Sequence, residues 1–133
     1  MTFYATIFKN SRVVRVNRAQ GKVMSVEFEL EGQRFIGLNA GPHYTFNEAV
    51  SFFVAVETQP EIDALWAKLT AGGGEPGRCG WLKDRFGLSW QIVPEALGRL
   101  MGGPDPAGSK RVMDVLMQMN KLDVGQLQQA YDG

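Results

Sequence analysis

Hydrophobic and polar positions alternate most regularly in the first third of the chain. Met24, Val26, Phe28 and Leu30 interleave with Ser25, Glu27 and Glu29, so one face can enter a core while the other meets water, which is the period of a half-buried strand. A valine-rich run at 12–18 precedes it, and Phe35, Ile36 and Leu38 return on the far side of Glu31-Gly32. That glycine supplies the positive φ a tight hairpin needs. Ahead of the strands, Phe3, Tyr4, Ile7 and Phe8 recur at helical spacing, but the segment starts at Met1 with no cap. It reads as the tail of a helix. Helix followed by three antiparallel strands is the expectation.

A similar order returns further on. Residues 51–57 are β-branched and aromatic enough for a strand. Thr58 and Glu61 then have the spacing of a capping box, Pro60 lies in the first turn, and Ile62, Leu65, Trp66 and Leu69 form one apolar stripe. The glycines at 72–74 stop this helix. Residues 79–82 and 88–93 follow as a hairpin pair, turned at 84–87 and closed by Pro94. Beyond Pro94 the pattern is helical. One helix covers 95–101, a second opens at Asp105-Pro106 and carries Val112, Leu116 and Met119, and a third is capped by Asp123 with Val124, Leu127 and Tyr131 inward.

Gly32, Phe35 and Leu38 recur at identical spacing as Gly87, Trp90 and Val93, which is compatible with two related halves. Two unrelated amphipathic hairpins sharing a glycine and an aromatic would look the same. Gly102-Gly103-Pro104 is too short to isolate a further domain. Residues 1–133 are therefore expected to form a single domain, with modules at about 1–42 and 50–94 and a helical extension at about 95–133.

Composition narrows the partners. A chain of 133 residues that is 44% hydrophobic can bury about two thirds of its unfolded surface. Fourteen basic residues balance fourteen acidic ones without a basic run, so no long-range field gathers nucleic acid. The longest apolar stretch, Phe52 to Val56, falls far short of the ~20 residues of a membrane helix. Residues 1–10 lack the layout of a signal peptide. A cytoplasmic protein with no membrane or nucleic-acid partner is expected.

Chemistry-bearing residues are few. The lone Cys79 excludes an internal disulfide, and the lone His43 leaves few ways to build a transition-metal site. His43 reads as a solvated loop residue, with no carboxylate within a turn of it to orient its ring. Cys79, between Arg78 and Gly80, reads as a small buried strand residue rather than a nucleophile. Glu27 and Glu29 share a strand face at about 7 Å, where a catalytic pair and two solvated glutamates are both conceivable. Trp81 and Trp90 lie on adjacent hairpin strands as core aromatics, although a cleft-facing Trp81 would suit a flat or apolar guest. Met113, Met117 and Met119 repeat at helical spacing and point to core or dimer packing.

One set of segments carries a family likeness: Ile7-Phe8-Lys9-Asn10-Ser11, Val26-Glu27-Phe28-Glu29-Leu30, Leu38-Asn39-Ala40-Gly41-Pro42, Phe46-Asn47-Glu48-Ala49 and the run from Cys79-Gly80-Trp81-Leu82-Lys83 to Trp90-Gln91. Together with Met117-Gln118-Met119 and the last four residues, they resemble the PhnB-like family of the vicinal-oxygen-chelate, or glyoxalase/bleomycin-resistance/dioxygenase, superfamily. The resemblance implies an α+β fold of paired βαβββ modules curling around a cleft, with extra C-terminal helices and assembly as a homodimer. It also implies that the first strand of the first module is absent from this sequence.

The family name implies 3-demethylubiquinone methyltransferase activity. However, S-adenosylmethionine is usually held by a glycine-rich turn between a parallel strand and a helix, whereas these glycines lie in hairpins or the 72–74 helix stop. Metal-dependent relatives place His and Glu at inward strand positions that match Ser51 and Gln91 here. A hydroxyl and a neutral amide hold divalent metals weakly. The expectation is a protein with no metal and no cofactor, binding a small, partly apolar metabolite through Asn39, Ser51 and Gln91, with Trp81 as a wall. The alternative is a metal-dependent lyase, isomerase or dioxygenase.

Overall fold

The structure, a computed structural model, describes residues 2–133. It divides into two compact units, the first ending at Thr45 and the second running from Phe46 to Gly133.

In the first unit, helix α1 (Thr2–Ala5) leads into β1 (Arg12–Ala19), β2 (Lys22–Leu30) and β3 (Gln33–Leu38). The three strands form an antiparallel meander in the order β1-β2-β3. Both connections are two-residue loops with left-handed backbone throughout, Gln20-Gly21 at φ 51° and 77° and Glu31-Gly32 at φ 49° and 84°. That is the loop geometry whose twist matches a right-handed hairpin. Only the second turn was legible in the sequence. The apolar helical spacing through Phe8 overstates α1, because the helix closes at Ala5 and Ile7 N–H turns back to Tyr4 O at 3.0 Å. Buried Tyr4 stacks on Phe28 at 6.3 Å, and Phe28 stacks on its cross-strand partner Phe35 at 5.4 Å. On the other sheet face, Arg12 and Arg34 both pair with Glu29.

The second unit contains β4 (Ser51–Val56), α2 (Gln59–Thr70), β5 (Glu75–Pro76), β6 (Trp81–Lys83) and β7 (Ser89–Pro94). Its sheet runs β4-β7-β6-β5, with β4 parallel to β7 and the other pairs antiparallel. The capping box forms as read, with Thr58 Oγ1 accepting from Glu61 N–H and donating to Glu61 Oε1 at 2.9 Å. Ile62, Trp66 and Leu69 of α2 are buried, as are Val56, Leu82, Trp90 and Ile92 on alternating strand positions. These residues form one apolar layer between helix and sheet.

The second hairpin starts later than its sequence pattern predicts. Cys79 and Gly80 adopt left-handed backbone, φ 58° and 83°, and their N–H groups bond to Met119 O and Asn120 O, each at 2.8 Å. They join the C-terminal segment instead of the ladder, so β6 begins at Trp81. Cys79 is accordingly half-buried in a turn, not buried in a strand.

Helices α3 (Glu95–Met101), α4 (Pro106–Leu116) and α5 (Val124–Asp132) follow. Asp105 and Asp123 cap the last two, accepting from Ala107 N–H at 3.1 Å and Gln126 N–H at 2.9 Å. Leu100, Val112, Met119, Leu122 and Leu127 make their common core, onto which Val93 of β7 packs. Gln59 at the start of α2 fastens this tail, donating to Leu122 O at 3.0 Å and accepting from Val124 N–H at 2.8 Å. Of the methionines, Met119 is core whereas Met113 and Met117 are exposed. Among the described residues, no helix is long and apolar enough to cross a membrane.

Candidate functional site

Strand register decides which side chains of the second unit share a surface. Phe53, Gln91 and Trp81 are aligned across β4, β7 and β6, and one step along, Ser51, Ser89 and Lys83 are aligned in the same way. Side chains two residues apart on a strand point the same way. Both rows therefore lie on the face opposite to buried Leu82, Trp90 and Ile92. Three of the four expected ligand-binding residues, Ser51, Trp81 and Gln91, meet on this face. Gln91 Nε2 donates to Ser51 Oγ at 2.8 Å, fixing the orientation of both. Phe53 beside them is 61% exposed, so the surface mixes apolar and neutral polar groups.

A pocket of about 400 Å³ opens at the β5–β6 side of the same sheet. Its polar lining comprises Glu48, Glu75, Arg78, Lys83 and Ser89, with Trp81 as the aromatic member. Lys83 Nζ is ion-paired with Glu48. The bond to Lys83 holds the Glu48 carboxyl below the usual carboxylate range, helped by Glu48's own backbone N–H. The same bond raises the Lys83 ammonium, with nearby Glu75 adding to the effect. Ser89 is 1% exposed, and its hydroxyl has no hydrogen-bond partner among the described residues. A buried hydroxyl left unpaired costs about 1–3 kcal/mol, and Ser89 is one of the residues that line the pocket.

The hairpin that carries this surface is held from behind. Asp84, 2% exposed, accepts through Oδ1 from Phe86 N–H at 2.8 Å and Leu88 N–H at 3.1 Å. Its Oδ2 accepts from Trp90 Nε1 at 2.9 Å. One carboxylate thus shapes the turn and anchors the indole, which keeps Lys83 opposite Ser89 and Trp81 opposite Gln91.

The other candidates belong to other elements. Asn39, in the first unit, prolongs the β2–β3 ladder, with its N–H on Met24 O at 2.9 Å and Nδ2 on Val23 O at 3.0 Å. His43 is exposed in its loop. Glu29 is drawn into its arginine pairs, and the Arg12 bond above all holds its carboxyl below the ordinary range. Cys79 Sγ approaches Met117 Sδ at 3.8 Å. Sequence reasoning missed Glu48, Glu75, Arg78, Lys83 and Ser89. Period-two phasing from Trp81 and Gln91 points to Lys83 and Ser89, whereas nothing local marks the others.

Ser51 and Gln91 offer a hydroxyl and a neutral amide, both weak donors for a divalent metal. These two positions, which the family resemblance matches to metal ligands, are neutral and bonded to each other. In the first unit, the repeat Gly32/Phe35/Leu38 aligns Ile36, an aliphatic residue, with Gln91. Among the described residues, no group of three or more His, Cys, Asp or Glu side chains is placed to hold a metal ion.

The two units together define an α+β protein consistent with the glyoxalase-like fold, the second carrying a complete βαβββ order. The chain belongs to the PhnB-like family described as 3-demethylubiquinone-9 3-methyltransferase, which it matches over residues 1–93. A Bacillus cereus protein described as a 3-demethylubiquinone-9 3-methyltransferase, PhnB protein, is 31% identical with a TM-score of 0.65, covering 71% of this chain and 87% of that one. Protein PA1353 from Pseudomonas aeruginosa, 17% identical with a TM-score of 0.56 over 71% of this chain and 85% of its own, shares the fold. No curated protein matches the chain. The family match ends at residue 93, whereas the likeness read from the sequence ran on into the C-terminal helices.

Proposed function

We propose that this PhnB-like protein binds a small, partly apolar metabolite on the β4-β7-β6-β5 face turned away from α2, without a metal. The observation that carries this reading is the meeting of Ser51, Trp81 and Gln91 on one face beside a pocket of about 400 Å³, within the size range of small-molecule sites. The neutral Gln91–Ser51 pair orients polar groups of the guest, and Trp81 and Phe53 cover its apolar part.

Catalysis by proton transfer has little support here. Ser89 lies opposite Lys83, but the Glu48 bond raises the lysine, which keeps it protonated and unfit to act as a base. The chain likewise offers little to a methyl-donor cofactor. β4 is the strand that runs parallel and enters a helix, and its exit is Glu57-Thr58, without a glycine. Such a turn does not offer the close backbone approach that nucleotide-type cofactors need. Homodimerisation and a cytoplasmic location belong to the same proposal, the former tested by light scattering on the purified protein.

A thermal-shift screen against a broad metabolite library tests the reading. At least one compound is expected to raise Tm, and Trp81→Ala and Gln91→Leu should abolish its shift. Failure of every compound, or shifts insensitive to both substitutions, would overturn the proposal. Stoichiometric iron, zinc or nickel in the purified protein would favour the metal-dependent lyase, isomerase or dioxygenase instead.

A further inference from the structure

The pocket beside Trp81 has a charge pattern that selects among small molecules. Glu48 and Glu75 contribute two negative charges, and Arg78 and Lys83 two positive ones. Lys83 is committed to Glu48 and lies within the influence of Glu75, so the lysine side of the pocket carries more negative than positive charge. Arg78, in the β5–β6 turn where its carbonyl accepts from Trp81 N–H, supplies the compensating cation beyond the Glu75–Lys83 pair. A guest of one sign would gain from one side and be repelled by the other. A guest bearing both signs a short distance apart gains from each.

Two further features fit such a guest. An indole attracts an ammonium group to its face, and Trp81 is the aromatic wall. The unpartnered hydroxyl of Ser89, opposite Lys83 on the adjacent strand, offers a donor and an acceptor that nothing among the described residues uses. Guanidinium recognises carboxylate through paired, charge-assisted hydrogen bonds.

We propose that the pocket takes an α-amino-acid zwitterion, its ammonium group against Glu48, Glu75 and Trp81, its carboxylate on Arg78, and the Ser89 hydroxyl completing its hydrogen bonds. This deepens the binding reading above and rests on it. The side chain of the amino acid then extends along the sheet face toward Gln91 and Phe53, which supply the neutral and apolar contacts. The ion pair of Lys83 with Glu48 presets the carboxylate's position before the guest arrives.

The test uses the full chain, isotope-labelled, titrated to millimolar concentration with each of the proteinogenic amino acids while amide resonances are followed. At least one amino acid is expected to shift the resonances of Arg78, Trp81 and Ser89. For the tightest binder, the matching carboxylic acid without the amine and the matching amine without the carboxylate should each bind about tenfold more weakly or worse. Arg78→Ala and Glu75→Gln, both at exposed positions, should each weaken the amino acid by a similar factor, and Ser89→Ala by less.

If no amino acid perturbs these resonances, the proposal fails. Equal binding of the acid or the amine alone overturns the zwitterion, as does indifference to Arg78→Ala and Glu75→Gln in variants whose spectra show them folded. A library compound that is not an amino acid but loses its thermal shift in Gln91→Leu would leave the metabolite-binding reading standing while removing this one.

Discussion

Replacing Asp84 with alanine is expected to remove a large part of the stability of the second unit. The substitution deletes an acceptor that satisfies three donors, two of them enclosed: Leu88 is 6% exposed and Trp90 3% exposed. A buried donor that loses an ionic acceptor costs about 1–3 kcal/mol, whereas Phe86 N–H, at an exposed turn position, can turn to water for about 1 kcal/mol or less. The expected loss is about 4 kcal/mol, a large part of the ~5–15 kcal/mol that holds an ordinary domain. Asp84→Asn retains one acceptor oxygen and should fall between wild type and alanine.

Urea unfolding followed by tryptophan fluorescence measures the loss, and the near-ultraviolet circular dichroism of Trp90 reports whether its indole stays fixed. An unchanged m-value would assign the effect to stability rather than to a more open native state. A loss under about 1.5 kcal/mol for Asp84→Ala, little more than one net hydrogen bond, would refute the view that this carboxylate anchors the hairpin. Because Asp84 sets the register of β6 against β7, Asp84→Asn should also weaken any ligand bound at Trp81 and Ser89.

Three further predictions follow from the same geometry. The Glu48–Lys83 bond lowers the glutamate and raises the lysine. Its contribution is therefore complete at neutral pH, lost as pH falls through the folded value of Glu48, and lost again as pH rises through that of Lys83; Lys83→Met should return the Glu48 carboxyl toward its ordinary range in an NMR titration. At Gly74 an added Cβ would lie 2.6 Å from Thr70 Cα and 2.7 Å from Lys83 O, so Gly74→Ala is expected to cost about 2 kcal/mol in chemical unfolding, and a neutral effect would contradict the close approach. Cys79 holds φ 58°, a conformation costly for any side chain, so Cys79→Gly should stabilise by about 1 kcal/mol, read as a rise in Tm.

Local patterns were enough to place nearly every element. Alternation at 24–30, the Thr58/Glu61 box and the Asp105 and Asp123 caps each encode their structure within a few residues, because strand period and capping depend on near neighbours along the chain. The expectation that Asn39, Ser51, Trp81 and Gln91 form one site came from the family resemblance and the hairpin pattern; the register brings Ser51, Trp81 and Gln91 onto one face, while Asn39 belongs to the first unit. What no local rule could supply was the pairing of distant segments. Glu48 meets Lys83 across the sheet end, Cys79 and Gly80 leave the strand for carbonyls at 119 and 120, and the Ser89 hydroxyl is buried without a partner among the described residues.

The sequence by itself determined the order of helices and strands and the scarcity of metal-binding side chains, since both are properties of composition and short-range spacing. Tertiary structure alone decided that five charged or hydroxyl-bearing residues gather around Trp81 in one pocket. Their proximity arises from antiparallel pairing and loop return, which bring residues tens of positions apart within hydrogen-bonding distance and leave no trace in any single stretch of chain.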